Sequence, residues 1–169
     1  MIFFGFIEIA YADAGSSLID RRLHCGSSDF VASTRRQEFF VVEQHLAVKQ
    51  AGLPLKSIRI EAATVPQHRD PTTSTPGLSR WVEGWACRRT GRLRFVELLY
   101  TCSETMSDRD TDRYCSATRE RTGFLMLDGT VLDRGYSPDD PRYRSLERGL
   151  GLPDWYDGKT YEQNMSPVD

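Results

Sequence analysis

The residues best equipped for chemistry in this chain are its four cysteines, Cys25, Cys87, Cys102 and Cys115. A thiol serves as a nucleophile, a metal ligand or half of a disulfide, and spacing helps to separate these uses. No two of the four form a C-x-x-C pair, so a zinc site is a poor reading. An even count in an oxidising compartment reads instead as two disulfides, and a paired thiol cannot attack a substrate. Cys102 and Cys115 bracket a turn between neighbouring strands and are expected to pair, which leaves Cys25 for Cys87; the sequence itself permits the other connectivities too.

The remaining catalytic types are sparse. His24, His45 and His68 show no H-E-x-x-H spacing, and neither a G-x-S-x-G elbow nor a phosphate-binding glycine loop is present. Asp108, Asp110 and Asp112 alternate as calcium ligands do. Arg113, however, stands where that loop needs glycine, and Arg119 where it needs a bidentate glutamate, so a solvated acidic turn is expected. Carboxylate chemistry would fall to Glu83 and Glu97, each set in a strand among apolar neighbours, where a raised pKa suits a general acid. No metal and no cofactor is called for.

Compartment follows from the first residues, MIFFGFIEIAYADA. An apolar run through Ile9 leads to Ala12 and Ala14, spaced for signal-peptidase cleavage before Gly15. No Lys or Arg precedes the run and Glu8 interrupts it; the same residues also suit a buried strand. The expected organisation is a signal peptide over 1–14 and a single α+β domain over 15–169, irregular from about residue 134, in the periplasm or outside the cell. Nothing later is apolar for long enough to span a bilayer. The 169 residues carry 22 basic and 24 acidic groups, a net charge of -2. Cleavage would remove Glu8 and Asp13, and near-neutrality argues against a nucleic-acid partner.

The elements that would position these groups are read from periodicity. From about Thr34 to Ala51, Phe39, Val42 and Leu46 recur on one helical face, Thr34 and Gln37 have capping-box spacing, and Gly52 and Pro54 supply a stop. A main N-terminal helix is expected there, after a polar lead-in over 15–29. A strand over 55–64 and a long exposed loop over 66–79 follow. Residues 80–134 read as an antiparallel meander: hairpin strands over 81–88 and 93–102 about Thr90-Gly91, a third strand over 113–121, and a last hairpin about Asp128-Gly129. Ser137 or Asp140 is a cap for a short helix with Tyr143 and Leu146 turned inward before Gly149.

One helix laid on a meander sheet, stapled by two disulfides, resembles the general plan of cystatin-like and NTF2-like folds. The likeness is architectural and brings no function with it. In the expected register Trp81 opposes Tyr100 and Trp85 opposes Val96. Val82, Gly84, Ala86, Leu93, Phe95 and Leu99 then form the core face, and Trp81, Trp85, Cys87, Val96, Leu98, Tyr100 and Cys102 form an aromatic face. That second face is either covered by the lead-in and the tail or used for binding. Arg88, Arg89, Arg92 and Arg94 crowd the hairpin tip, and Trp155 and Tyr156 mark the tail.

A neutral, stapled scaffold with aromatic and arginine-rich loops has the composition that interfaces favour. The function expected is therefore protein binding by an exported module, an inhibitor or immunity-type protein acting as a monomer or weak dimer. The binding residues would be Trp81, Trp85, Tyr100, Arg88, Arg89, Arg92, Arg94, Trp155 and Tyr156. A component of an envelope assembly or secretion apparatus, and a secreted hydrolase using Glu83 or Glu97, are the alternatives.

Overall fold

The computed structural model describes residues 16–37, 40–60, 62–70, 73–91, 93–103, 120–133, 140–152 and 166–167, without the side chains of 66–70, 73–75, 120 and 166. Alternation governs its first third. Between Ser28 and Gln37 the buried positions are Ser28, Phe30, Ala32 and Thr34, the period of a strand with one face inward. This strand, β2, pairs with β1 (Ser16–Cys25), then with β3 (Phe40–Gln50), which pairs with β4 (Lys56–Ile58). The result is a four-stranded antiparallel sheet in the order β1-β2-β3-β4.

The helix expected over 34–51 is therefore not formed. A bulge explains the misleading spacing: Arg35 pairs with Glu43 and Arg36 with Val41, so Val42 is an extra residue on β3. The inward phase changes there, from Val41 to Leu46 and Val48. A strand broken by one inserted residue spaces its apolar side chains much as a helix does. Thr34 caps nothing; its hydroxyl accepts a hydrogen bond from Gln44 Nε2 at 3.0 Å in mid-sheet. Gly52 and Pro54 end a strand, and the expected polar lead-in is largely β1.

Other expectations shift in the same direction. The strand over 55–64 shrinks to β4, and the loop over 66–79 holds a ribbon of β5 (Thr64–Asp70) and β6 (Thr73–Leu78). Its register sets Pro66 opposite Pro76, which a two-stranded ribbon tolerates because each strand has an outer edge that needs no donor. Ser79 roots the ribbon: its N–H donates to Ala63 O at 2.7 Å, and its hydroxyl accepts from Ala63 N–H at 2.9 Å.

The second sheet contains β7 (Arg80–Thr90), β8 (Leu93–Cys102), β9 (Glu120–Met126) and the short β10 (Ser166–Pro167), in the order β10-β7-β8-β9. The expected third strand begins in a part of the chain outside the described residues; the observed one pairs along Phe95 to Thr101. The turn at Asp128-Gly129 is found, with Met126 N–H bonded to Thr130 O and Leu125 bridged to Val131.

The two sheets lie face to face. Phe30, Ala32, Leu46, Val48 and Ile58 from the first meet Val82, Trp85, Val96, Leu98, Tyr100 and Leu125 from the second in one core. Gln44 joins the sheets by polar contacts. Its amide accepts from Val82 N–H and donates to Val82 O, both at 2.8 Å, as a neighbouring strand would. On the other face of the second sheet, Phe95 and Phe124 pack with Tyr143 and Leu150 of α1 (Pro141–Gly149) and the turn after it. Of the two expected caps it is Asp140 that caps α1, through Arg142 N–H at 2.8 Å, and Pro141 opens the helix.

The layers are thus sheet, sheet and a short helix. This corrects the cystatin-like or NTF2-like plan of a main N-terminal helix on a single sheet: the described helix is short, comes after β9 and covers a sheet whose opposite face is already covered. Of the two disulfides expected, Cys25–Cys87 lies wholly within the described residues and joins β1 to β7 across the core. No described cysteine is free. Cys102 is also disulfide-bonded, and Cys115, its expected partner, lies outside the described residues.

Removing the Cys25–Cys87 link, whose halves are 62 residues apart, should lower stability by about 4 kcal/mol in the chain-entropy model, read as a lower urea midpoint for Cys25→Ala/Cys87→Ala. A second site tests the packing between β8 and β9. A Cβ added at Gly123 would stand 2.2 Å from Tyr100 Cε2, so Gly123→Ala should cost about 1–3 kcal/mol, and most of that cost should disappear when Tyr100 is also shortened to Leu.

Candidate binding surface

The aromatic face of the first hairpin is the sandwich interior. Trp85 is 1% exposed and Tyr100 is 3% exposed, both covered by the first sheet, so neither offers a surface to a partner. The observed register is Thr90 opposite Leu93, Cys87 opposite Val96 and Trp85 opposite Leu98. It differs from the expected one by two residues near the turn, and a shift of two preserves which side each residue faces. Beyond Glu83, an extra residue between Val82 and Gly84, the phase changes. Val82 therefore joins Trp85 in the core, and Trp81 is left half-buried.

At the hairpin tip the arginines separate by strand parity. Arg88 turns toward the helix side, where its Nε stands 2.6 Å from Glu97 Oε2. Arg89 and Arg94, paired across the strands, are exposed, and Arg89 Nε donates to Gly91 O at 3.1 Å. The tip also holds the end of α1, through a hydrogen bond from the Thr90 hydroxyl to Leu150 O. Arg92, Trp155 and Tyr156 lie outside the described residues.

The two carboxylates singled out for chemistry differ in setting. Glu83 sits at the bulge and accepts a hydrogen bond from the Thr101 hydroxyl. Glu97 is wholly buried, and burial pushes its carboxyl above the ordinary range while Arg88 pulls it partly back. A raised carboxyl is what a general acid requires, but a substrate must reach it, and this one is sealed under the helix layer. The geometry fits a structural ion pair.

A second charged group ties the layers together at β9. Arg121 Nη2 stands 2.6 Å from Asp133 Oδ2, both side chains being buried. Its other nitrogens have no hydrogen-bond acceptor among the described residues, but the guanidinium carbon lies 6.0 Å from the Tyr100 ring centre and 5.9 Å from that of Tyr143. The two aromatic faces stand in for acceptors. Tyr143 also donates to Thr122 O at 2.6 Å, and Asp133 Oδ1 accepts from Phe124 N–H. Core and helix are thereby linked through one buried arginine.

Besides Arg89 and Arg94, the structure exposes residues that periodicity did not single out. Helix α1 buries Tyr143, packs a partly buried Leu146 beside it and presents Arg144 and Arg148, one turn apart, to solvent. The turn between β3 and β4 exposes Leu53, which lies between the stop signals Gly52 and Pro54, and Leu55, the first residue of the expected strand. Both could have been noticed as charged or apolar residues beside helix-stop and turn signals. His24 and His45 are bonded to Asp29 and Glu43, each at 2.8 Å, on the exposed face of the first sheet, and His68 lies in β5. Asp108, Asp110 and Asp112 lie outside the described residues, among which no metal-binding cluster occurs. No described helix is long and apolar enough to cross a membrane.

Two measurements test the Arg88–Glu97 pair. Glu97→Leu should cost about 3 kcal/mol, because it strips the carboxylate from a partly buried arginine, whereas Glu97→Leu with Arg88→Met should cost much less. Because folding raises this pKa, the folded chain holds a proton where the unfolded chain does not. Its contribution is full below the unfolded carboxylate range and is lost as pH rises through the raised value. Urea midpoints of the wild type should therefore fall with rising pH in that window relative to Glu97→Gln. No protein-family model, no curated protein and no solved structure matches this chain.

Proposed function

We propose that this chain is an exported, disulfide-braced module that binds a protein, of the inhibitor or immunity type, in the periplasm or outside the cell. The observation that carries the reading is Cys25–Cys87, a link between two strands distant in sequence, with Cys25 fully buried against the core. Such links persist in oxidising compartments and stiffen a scaffold that works by presenting a fixed surface.

The surface assigned to the partner is the outer side of α1. Arg144 and Arg148 stand at i and i+4, where like charges cost an isolated helix about 0.2–0.5 kcal/mol. Arg148 recovers part of that cost from the dipole at the last turn. Docking of Tyr143 and Leu146 holds the helix rigid, so the arginines are pre-positioned for carboxylates on a partner. Arginine is also the charged residue that protein interfaces enrich.

The test uses the wild-type chain as bait in an envelope extract, beside Arg144→Glu/Arg148→Glu. The expected result is one partner retained in a one-to-one complex by the wild type and affinity at least about tenfold weaker for the variant, with an unchanged melting temperature. Recovery of no partner, or equal recovery by both chains, contradicts the proposal; recovery of a large membrane complex points to the envelope-assembly alternative.

A further inference from the structure

The turn between β3 and β4 carries a composition that the helix surface lacks. Leu53 and Leu55 are 53% and 61% exposed on either side of Pro54. The turn is tightly built: Gly52 has φ 75 and Leu53 N–H donates to Gln50 O at 3.1 Å. Lys49 Nζ donates to Leu53 O at 2.6 Å, and Lys56 Nζ to Asp128 O at 2.8 Å. Two ammonium groups are thus pinned beside two exposed aliphatic side chains.

Neighbouring turns bring more cations to this end of the sandwich. Gln50 Nε2 donates to Ser28 Oγ at 3.3 Å, which donates to Leu127 O at 2.7 Å, joining the end of β3 to the β1–β2 and β9 turns. Arg94 lays its Cδ beside Gly26 in the β1–β2 turn, and Arg89 is its cross-strand neighbour. The carboxylates at this end include Asp29, which is bonded to His24, and Asp128, which accepts from Thr130 N–H and is held below its usual pKa by those bonds. The cations outnumber these two carboxylates.

Aliphatic side chains held in water beside cations have the chemistry of an interfacial anchor. Leucine enters the acyl boundary while ammonium and guanidinium groups remain at the phosphates. Protein-binding surfaces have the opposite bias, enriched in aromatics and depleted in lysine. We infer that this end of the sandwich docks on an anionic phospholipid surface, with Leu53 and Leu55 inserted and Lys49, Lys56, Arg89 and Arg94 at the headgroups. Only side chains pass the headgroups, so the turn keeps its backbone hydrogen bonds in water and docking is shallow and reversible. The inference stands apart from the protein contact at α1.

Co-sedimentation of the full chain with phosphatidylcholine vesicles, plain or containing about one third phosphatidylglycerol, tests it. Partitioning should be about tenfold higher on the anionic vesicles and fall with added salt. Leu53→Asp/Leu55→Asp should remove most of that binding with circular dichroism unchanged, and Lys49→Gln/Lys56→Gln should weaken it several-fold. Arg144→Glu/Arg148→Glu should bind vesicles at least half as well as wild type, which separates failure here from failure of the protein-binding reading. Equal binding to neutral vesicles, no binding to anionic ones, or indifference to the leucine change overturns the inference. So does leucine-dependent binding to soluble polyglutamate that matches vesicle binding, which would assign the tip to an acidic protein instead.

Discussion

The rest of this structure depends on the closure of one core between two sheets, with Trp85 and Tyr100 inside it and the Cys25–Cys87 bond linking β1 to β7 beside them. Without the first sheet the aromatic face of β7 and β8 would lie in water, and exposed apolar area of that extent is costly unless a partner covers it. Helix α1 then covers the opposite face through Phe95, Phe124 and Tyr143. Strand β8 is consequently buried on both sides, with Phe95 toward the helix and Val96, Leu98 and Tyr100 toward the first sheet. A strand in that position leaves few of its residues exposed.

Charge inside this arrangement is compensated where layers meet. Glu97 with Arg88 and Asp133 with Arg121 both lie where helix and sheet come together, and Tyr100 and Tyr143 flank Arg121 with aromatic faces. Desolvation raises both phenols far above their ordinary range, Asp133 adding to the effect on Tyr100 and Glu147 to that on Tyr143. Buried pairs of this kind add little net stability, but removing one member is costly. Of the two, the Arg121–Asp133 pair reaches α1, through the Tyr143 ring.

Local signals in the sequence were sufficient where the structure is local. Asp140-Pro141 before Tyr143 marks α1, and Asp128-Gly129 marks its turn, because caps and tight turns depend on a few adjacent residues. The face pattern of the hairpin was also legible near its tip. An error of two residues in register leaves facing unchanged, and Cys25 pairs with Cys87 as expected once Cys102 is assigned elsewhere. Strand bulges were not legible. The extra residues Val42 and Glu83 break alternation at points that only the partner strand defines, and the first made residues 34–51 resemble a helix. The sandwich itself could not be read, because contact between sheets is decided far along the chain. Of the residues expected to bind, Trp85 and Tyr100 are interior, and Arg89 and Arg94 are exposed.

Peptide mapping of the protein taken from its native cell, alkylated while folded and digested without reductant, tests the central claim most directly. The account predicts a cross-linked pair of peptides carrying Cys25 and Cys87, separated only by reduction. Alkylated Cys25 and Cys87 in folded material would contradict it, because the sheets would then meet without a covalent bond and the oxidising compartment would lose its chief support.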